Sequence, residues 1–282
     1  MTGGMTNRID QRFQALKEAN RAALVPYITA GHPHPDATVA LLHAAVSAGA
    51  DVVELGMPFS DVMADGPVIQ RACERALEHG VGLQEVLTLV AQFRQHDATT
   101  PVVLMGYTNP IERYGATRFA EDAAQAGVDG LLIVDCPADE ARDLQGELAN
   151  AGLHQIFLVA PTTNDARLAR ASELAGGFVY YVSLTGVTGA ATLNTDALAP
   201  MVERIRGRID LPVAVGFGIR EPEQAARVAE LADAVVIGSA LVSKLHDIDT
   251  VDEACATASA YLSKVRAAMD EARAGVDLAA SG

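Results

Sequence analysis

The chain has 282 residues, a formal net charge of −15 at pH 7, and a composition that is 50% hydrophobic. This length can hold one large α/β domain with a sizeable core. The acidic balance argues against binding to nucleic acid or to an anionic membrane, because phosphates attract basic surfaces. No apolar run reaches membrane-spanning length, and the N-terminus lacks a basic region followed by an apolar one. We therefore expect a cytoplasmic protein that does not bind membranes.

The cysteines give no sign of a disulfide framework. Cys73, Cys136 and Cys255 are odd in number and far apart, which suits a reducing compartment. His32 and His34 lie close together, but no further metal ligand accompanies them in the sequence. We expect no bound metal.

Eight short apolar runs recur along the chain, each followed by a helical pattern. Near-continuous apolar strands that alternate with helices are typical of a parallel sheet covered by helices. Eight units of roughly 30 residues favour a (β/α)8 TIM barrel over an open sheet. The predicted strands are 24–30, 51–57, 101–106, 130–135, 155–160, 178–184, 212–217 and 234–238.

Additional helices are expected outside this repeat, over residues 8–19 and 82–95. No linker or low-complexity stretch divides the chain, so we expect a single TIM-barrel domain over residues 1–282. The tail, from about residue 275 to 282, is predicted to be disordered.

Two carboxylates follow the second predicted strand. Glu54 ends it, and Asp65 lies eleven residues further on, both at the barrel end that carries catalytic residues. A carboxyl group in an apolar setting tends to keep its proton, whereas one with polar contacts stays ionised, and such a pair suits proton-transfer chemistry. The alternative is that Glu54 satisfies a polar contact in the core and Asp65 caps the helix that begins at Gly66 and Pro67.

Glycine-bearing segments follow the sixth, seventh and eighth strands, at residues 186–189, 216–219 and 238–241. Glycines let backbone N–H groups approach a ligand, and a phosphate between the last two loops is common in TIM barrels. The alternative is that these glycines only end strands. Loop 185–195 is long and fits a lid that excludes water, or else a solvent loop.

Lysine is scarce. Lys17, Lys244 and Lys264 are the three in the chain, and none is predicted at the end of a strand. A Schiff-base aldolase needs its amine inside the barrel. The sequence therefore argues against that mechanism.

Three segments together resemble the alpha subunit of tryptophan synthase: 54–61 (Glu-Leu-Gly-Met-Pro-Phe-Ser-Asp), 64–67 (Ala-Asp-Gly-Pro) and 185–189 (Thr-Gly-Val-Thr-Gly). The similarity extends over nearly the whole chain. The family usually has Pro after the Ser-Asp step, where this chain has Val62. This difference bears on the mobility and the partner contacts of the loop.

The resemblance implies a lyase of L-tryptophan biosynthesis that cleaves indole-3-glycerol phosphate to indole and glyceraldehyde 3-phosphate, with no cofactor in this subunit. By similarity, Glu54 is the general acid and base, and Asp65 accepts a hydrogen bond from the indole N–H. Tyr180 helps to position Glu54, and Thr188 bonds Asp65 when its loop closes. The resemblance also assigns the phosphate site to Gly189, Gly218, Gly238 and Ser239, and the indole-pocket wall to Tyr27, Leu104, Phe217 and Ile237.

The resemblance further implies a partner, the pyridoxal phosphate-containing beta subunit, in an α2β2 complex. Loops at the barrel mouth that carry Pro58, Asp61 and Asn109 are where it would dock. Two alternatives stay open: another phosphate-binding TIM-barrel enzyme, and a catalytically weak regulatory subunit that activates its partner. A free-standing lyase that releases indole is not distinguished from the complexed form.

Overall fold

A computed structural model describes residues 7–182, 195–216 and 218–280. Eight parallel strands close into a barrel in chain order, which confirms the predicted (β/α)8 TIM barrel. Each strand overlaps its predicted segment. The strands are β1 (Ala23–Thr29), β2 (Val53–Gly56), β3 (Val102–Gly106), β4 (Gly130–Ile133), β5 (His154–Val159), β6 (Val179–Val182), β7 (Val213–Gly216) and β8 (Ala234–Ile237).

Twelve helices lie in the described ranges, among them the two additional helices expected from the sequence, α1 and α4. They are α1 (Arg8–Glu18), α2 (Ala37–Ser47), α3 (Pro67–Glu78), α4 (Leu83–Arg94), α5 (Thr108–Tyr114), α6 (Ala116–Ala126), α7 (Arg142–Asn150), α8 (Asp165–Leu174), α9 (Thr195–Arg206), α10 (Pro222–Leu231), α11 (Ser239–Leu245) and α12 (Val251–Ala280). None of these helices combines the length and apolar character that a bilayer crossing demands.

The end of α12 differs from the sequence prediction. The helix continues past Gly275 to Ala280, where the sequence predicts a disordered tail. Alanine has the highest helix propensity, and Ala279 and Ala280 favour continuation of a helix that has already formed.

The strands contribute to two apolar layers. Val103, Leu132 and Val236 belong to the barrel interior, whereas their strand neighbours Leu104 and Leu131 pack with helical residues in the outer layer. Successive side chains of a strand point to opposite faces, and a barrel surrounded by helices buries both. The alternation puts Glu54 inside, because its neighbours Val53 and Leu55 lie in the outer layer.

Helix α1 covers the amino-terminal end of the barrel. Ile9, Phe13 and Leu16 pack against interior residues from the strands. The rings of Phe13 and Phe178 lie 5.6 Å apart, centroid to centroid. The interior is therefore filled at this end, and the functional groups lie at the other.

Aspartates join neighbouring strands at the amino-terminal end. Each lies just before one strand, and its carboxylate accepts the backbone N–H of a residue at the beginning of the preceding strand. The bonds are Leu24 to Asp51, Val102 to Asp129 and Val213 to Asp233, each 2.8 Å long. Arginines neutralise all three carboxylates.

Candidate active site

Glu54 is a buried acid inside the barrel. It lies on β2 between Tyr27 of β1 and Val103 of β3 in the strand register. The residue is 1% exposed, and its Oε1 atom has no hydrogen-bond partner among the residues that the structure describes. Burial raises the pKa of Glu54 to about 8, and the nearby charge of Asp65 adds to the shift. The carboxyl group is therefore largely protonated at neutral pH and can act as an acid.

Asp65 occupies the loop between β2 and α3 and has a different environment. The hydroxyl of Tyr107 donates a hydrogen bond of 2.7 Å to its Oδ2 atom. Burial raises the pKa of Asp65, while this hydrogen bond lowers it. The N-cap of α3 is Gly66, which makes no side-chain cap, so the capping alternative for Asp65 is wrong.

An apolar cluster lies beside the two acids at the carboxyl end of the barrel, and we call it the mouth cluster. Its buried members are Tyr27, Val62, Ile69, Ala72, Cys73, Tyr107 and Val242, and Phe59, Val68, Met105 and Val134 pack against them. Val62, at the position where the resembled family has Pro, is buried here, and its carbonyl accepts the N–H of Asp65 at 3.1 Å. The side chain of Val62 therefore packs the β2–α3 loop against the mouth cluster.

Tyr27 and Tyr180 place phenol groups near the acids. Tyr27 belongs to the mouth cluster, and Tyr180 packs against the barrel interior. Burial raises the pKa of both phenols, and the charges of Glu54 and Asp65 raise it further. Both phenols are therefore neutral hydrogen-bonding groups at physiological pH.

Two of the residues expected in the wall of the indole pocket point away from the barrel interior. Leu104 and Ile237 lie in the outer layer among helical side chains. Their strand neighbours Met105 and Val236 face the interior instead. The residues that face the interior are therefore the adjacent ones, Met105 and Val236, because neighbouring side chains of a strand point to opposite faces.

Three of the four residues expected to bind the phosphate lie among the residues that the structure describes. Gly218 follows β7 and has φ +74, while Gly238 is the N-cap of α11 and Ser239 is its first residue. Strands β7 and β8 pair directly, so these residues follow neighbouring strands at one end of the barrel. Thr188, Gly189 and Phe217 fall outside the described residues.

The three lysines of the chain lie on helices. Lys17 lies on α1, Lys244 on α11 and Lys264 on α12, so none follows a strand directly. The Lys244 ammonium lies 4.9 Å from the centre of the Tyr261 ring. In the described part of the chain, no three His, Cys, Asp or Glu side chains come together as a metal site would require.

The sequence places Tyr107 at the functional end of the barrel but gives no role to it or to Met105. Tyr107 bonds Asp65, and Met105 contacts the mouth cluster. The available signal for Tyr107 was its position directly after the third strand, where side chains of a TIM barrel reach the site. The pairing with Asp65 spans 42 residues and depends on the closed barrel.

Comparisons with known proteins agree with this geometry. A family model described as "Tryptophan synthase alpha chain" matches residues 13–272. The tryptophan synthase alpha chain of Thioalkalivibrio sulfidiphilus is 57% identical over 265 residues, covering 94% of this chain and 100% of that protein. That of Laribacter hongkongensis is 56% identical over 264 residues, covering 94% and 99%. The crystal structure of tryptophan synthase subunit alpha from Legionella pneumophila str. Paris is 45% identical, with a TM-score of 0.88 and coverage of 95% and 100%.

Proposed function

The chain belongs to the tryptophan synthase alpha chain family, and from that premise we propose that it cleaves indole-3-glycerol phosphate to indole and glyceraldehyde 3-phosphate. The observation that carries this proposal is the pairing of unlike acids at the mouth of the barrel. Glu54 is buried and its Oε1 bonds none of the described residues, whereas Asp65 accepts a hydrogen bond. These are the environments of a proton donor and of a charge-stabilising carboxylate.

The reaction needs an electron sink before the carbon–carbon bond can break. Protonated Glu54 gives its proton to C3 of the indole, which converts the ring into a cation with positive charge on nitrogen. Asp65 accepts the hydrogen bond of the indole N–H and offsets this charge. The apolar mouth cluster strengthens that interaction because it excludes water.

The second step restores the aromaticity of the indole ring. Glu54, now a carboxylate, removes the proton of the hydroxyl group on the adjacent glycerol carbon. The bond between that carbon and C3 breaks, its electron pair returns to the indole, and the glycerol carbon becomes an aldehyde. Glu54 ends the cycle protonated again, with the proton of the hydroxyl group in place of the one given to C3, so the reaction is balanced without a cofactor.

The phosphate and the indole require separate parts of the same end of the barrel. We assign the phosphate to the backbone of Gly189, Gly218, Gly238 and Ser239, supported by the start of α11 directly after Gly238. We assign the indole to the pocket beside Tyr27, Met105 and Val236, together with Phe217. Tyr180 and Thr188 keep their roles beside Glu54 and Asp65 as parts of this proposal.

The experiment is an assay of indole formation from indole-3-glycerol phosphate with the purified chain, alone and with a tryptophan synthase beta subunit. Glu54→Gln keeps the shape of the side chain but removes the acid, and we expect activity to fall at least 10²–10⁴-fold. Glu121→Gln, on the exposed face of α6, is the matched control and keeps full activity. Indole formation by Glu54→Gln at the wild-type rate would disprove the assignment.

We further propose that the chain acts in the cytoplasm, in an α2β2 complex whose beta subunit holds the pyridoxal phosphate. Three free thiols suit a reducing compartment. Among the described residues, Met63 is the one large apolar side chain that is strongly exposed, at 84%. It lies on the β2–α3 loop near exposed Asp61, at the rim where we propose that the beta subunit docks.

The partnership is tested by the stimulation of indole formation on addition of the beta subunit. Met63→Glu is expected to weaken that stimulation while the activity of the free chain is unchanged. Indole formation that needs no beta subunit and does not respond to it favours a free-standing lyase. Activation of the beta subunit by a chain that makes no indole favours the regulatory alternative.

A further inference from the structure

The carboxylate of Asp65 is held at one of its two oxygen atoms. The Tyr107 hydroxyl donates to Oδ2 at 2.7 Å, and the backbone N–H of Ala64 donates to the same hydroxyl oxygen at 3.2 Å. One phenol group therefore binds both the backbone and the side chain of the β2–α3 loop. The directions are complementary, because the hydroxyl accepts from the loop while it donates its proton to the carboxylate.

Tyr107 is itself fixed to the barrel. It follows β3, is buried, and forms the N-cap of α5. Its ring packs against Phe59 with centroids 5.7 Å apart. The next residue, Thr108, donates its backbone N–H and its hydroxyl to Asp135 at 2.8 and 2.9 Å. The Tyr107 ring is thus held by its packing against Phe59, and the backbone next to it is held by the two bonds of Thr108.

Other contacts of the loop hold its backbone and not the carboxylate. The N–H of Asp65 bonds the carbonyl of Val62, and the Gln70 amide donates to the Asp65 carbonyl at 2.9 Å. Rotation of the Asp65 side chain would remain free with these bonds alone. Among the described residues, Tyr107 supplies the hydrogen bond that fixes the carboxylate.

We propose that Tyr107 is a positioning residue for Asp65: it holds Oδ2 through its hydroxyl, so that the other oxygen is presented to the indole N–H. This inference rests on the proposed function and adds a residue to its site. A carboxylate fixed in advance loses no rotational freedom when the substrate binds or when charge develops.

The same hydrogen bond controls the ionisation of Asp65. Burial raises the pKa of Asp65, and the Tyr107 bond opposes that rise. Removal of the hydroxyl therefore raises the pKa further, so that Asp65 becomes protonated at a higher pH. The titratable groups whose charges interact with it come from several elements: Tyr27, Glu54, Cys73, Tyr107 and Tyr180. The phenols and the thiol all have raised pKa values and stay neutral at physiological pH.

The first test is Tyr107→Phe in the complex with a beta subunit, with kcat and KM for indole formation measured across the acid side of the pH profile. We expect kcat/KM to fall about tenfold, mainly through kcat, because a hydrogen bond to a charged group is lost. The acid limb of kcat/KM moves to higher pH. Tyr114→Phe is the matched control: Tyr114 also donates to an aspartate, Asp122, at 2.7 Å, but its ring packs against the outer layer. It leaves kcat, KM and the acid limb unchanged.

The second test needs no activity. Carbon NMR of chain labelled at the aspartate carboxyl carbons gives the pKa of Asp65, with Asp65→Asn identifying its signal. We expect a higher Asp65 pKa in Tyr107→Phe than in the wild type and in Tyr114→Phe. An unchanged Asp65 pKa together with an unchanged acid limb overturns the inference. If the wild type makes no indole with or without the beta subunit, the proposed function fails, and the NMR result still decides whether Tyr107 holds Asp65.

Discussion

The hydroxyl group of Tyr27 lies directly over Gly56 on the neighbouring strand. A Cβ atom at Gly56 would approach that hydroxyl closer than 3.0 Å, a separation that real Cβ atoms do not show. Tyr180 has the same relationship to Gly216, from β6 to β7. In both pairs a glycine at the end of one strand makes room for a phenol from the preceding strand, beside the acids.

Gly56→Ala is expected to lower both stability and indole formation. The added methyl group displaces the Tyr27 ring, and overpacking of this kind costs about 1–3 kcal/mol of the free energy of unfolding. Urea denaturation measures the loss. In a Tyr27→Ala background the same change should cost much less, because the ring that it strikes is absent.

The control for this prediction is Gly146→Ala on α7. A Cβ atom there meets nothing within 4 Å, and the residue lies in a helix. We expect a stabilisation of about 0.5–1 kcal/mol. Equal effects of the two substitutions would contradict the steric role of Gly56.

Glu54→Gln is expected to stabilise the fold at alkaline pH. The ordinary carboxyl pKa is 4.5, and in the folded chain that of Glu54 is about 8. Below pH 4.5 both states hold the proton, so wild type and variant differ little. As pH rises from 4.5 to 8, the unfolded state loses the proton that the folded state keeps. Wild-type stability therefore declines, by about 3–5 kcal/mol once pH exceeds 8.

The measurement is the difference in urea unfolding free energy between Glu54→Gln and wild type at acidic and alkaline pH. Taking the difference cancels the titration of other groups. A difference that does not grow with pH would show that Glu54 ionises like an exposed carboxylate, and its role as a proton donor at neutral pH would then lose its support.

Asp129→Ala is expected to cost about 3–5 kcal/mol of folding stability. The carboxylate of Asp129 bonds Arg8 at 2.6 Å, and Arg94 and the N–H of Val102 at 2.8 Å each. Its loss leaves the largely buried Arg94 charge and a buried N–H without this partner. Calorimetry or urea denaturation checks the value. Asp165→Ala, at exposed ion pairs with Arg204 and Arg208, should cost far less, and a similar cost for both substitutions would refute the argument.

The sequence predicted the barrel well because its strands and helices repeat with clear periodicity. It could not tell the two faces of each strand apart. Residues 102–105 and 234–237 are apolar throughout, since both faces of a TIM-barrel strand are buried, and this is why Leu104 and Ile237 were assigned to the pocket in place of Met105 and Val236. Glu54 is not ambiguous in this way, because it is the one carboxylate within the eight strands that the structure describes and its chemistry suggests a role by itself.

The partners of the acids could not be predicted for a different reason. The bond between Tyr107 and Asp65 joins residues on separate units of the barrel, and its geometry depends on how the β2–α3 loop folds back over β3. The burial of Val62 has the same origin. Periodicity defines elements, but loop conformation decides which side chains meet.

Helix α1 determines how molecules can travel to and from the acids. Because Ile9, Phe13 and Leu16 seal one end of the described barrel, small molecules approach Glu54 from the opposite rim. The reactant and both products then enter and leave the barrel at this same rim. A protein seated on that rim would receive each departing molecule before bulk solvent does, so the order of release would depend on what covers the opening.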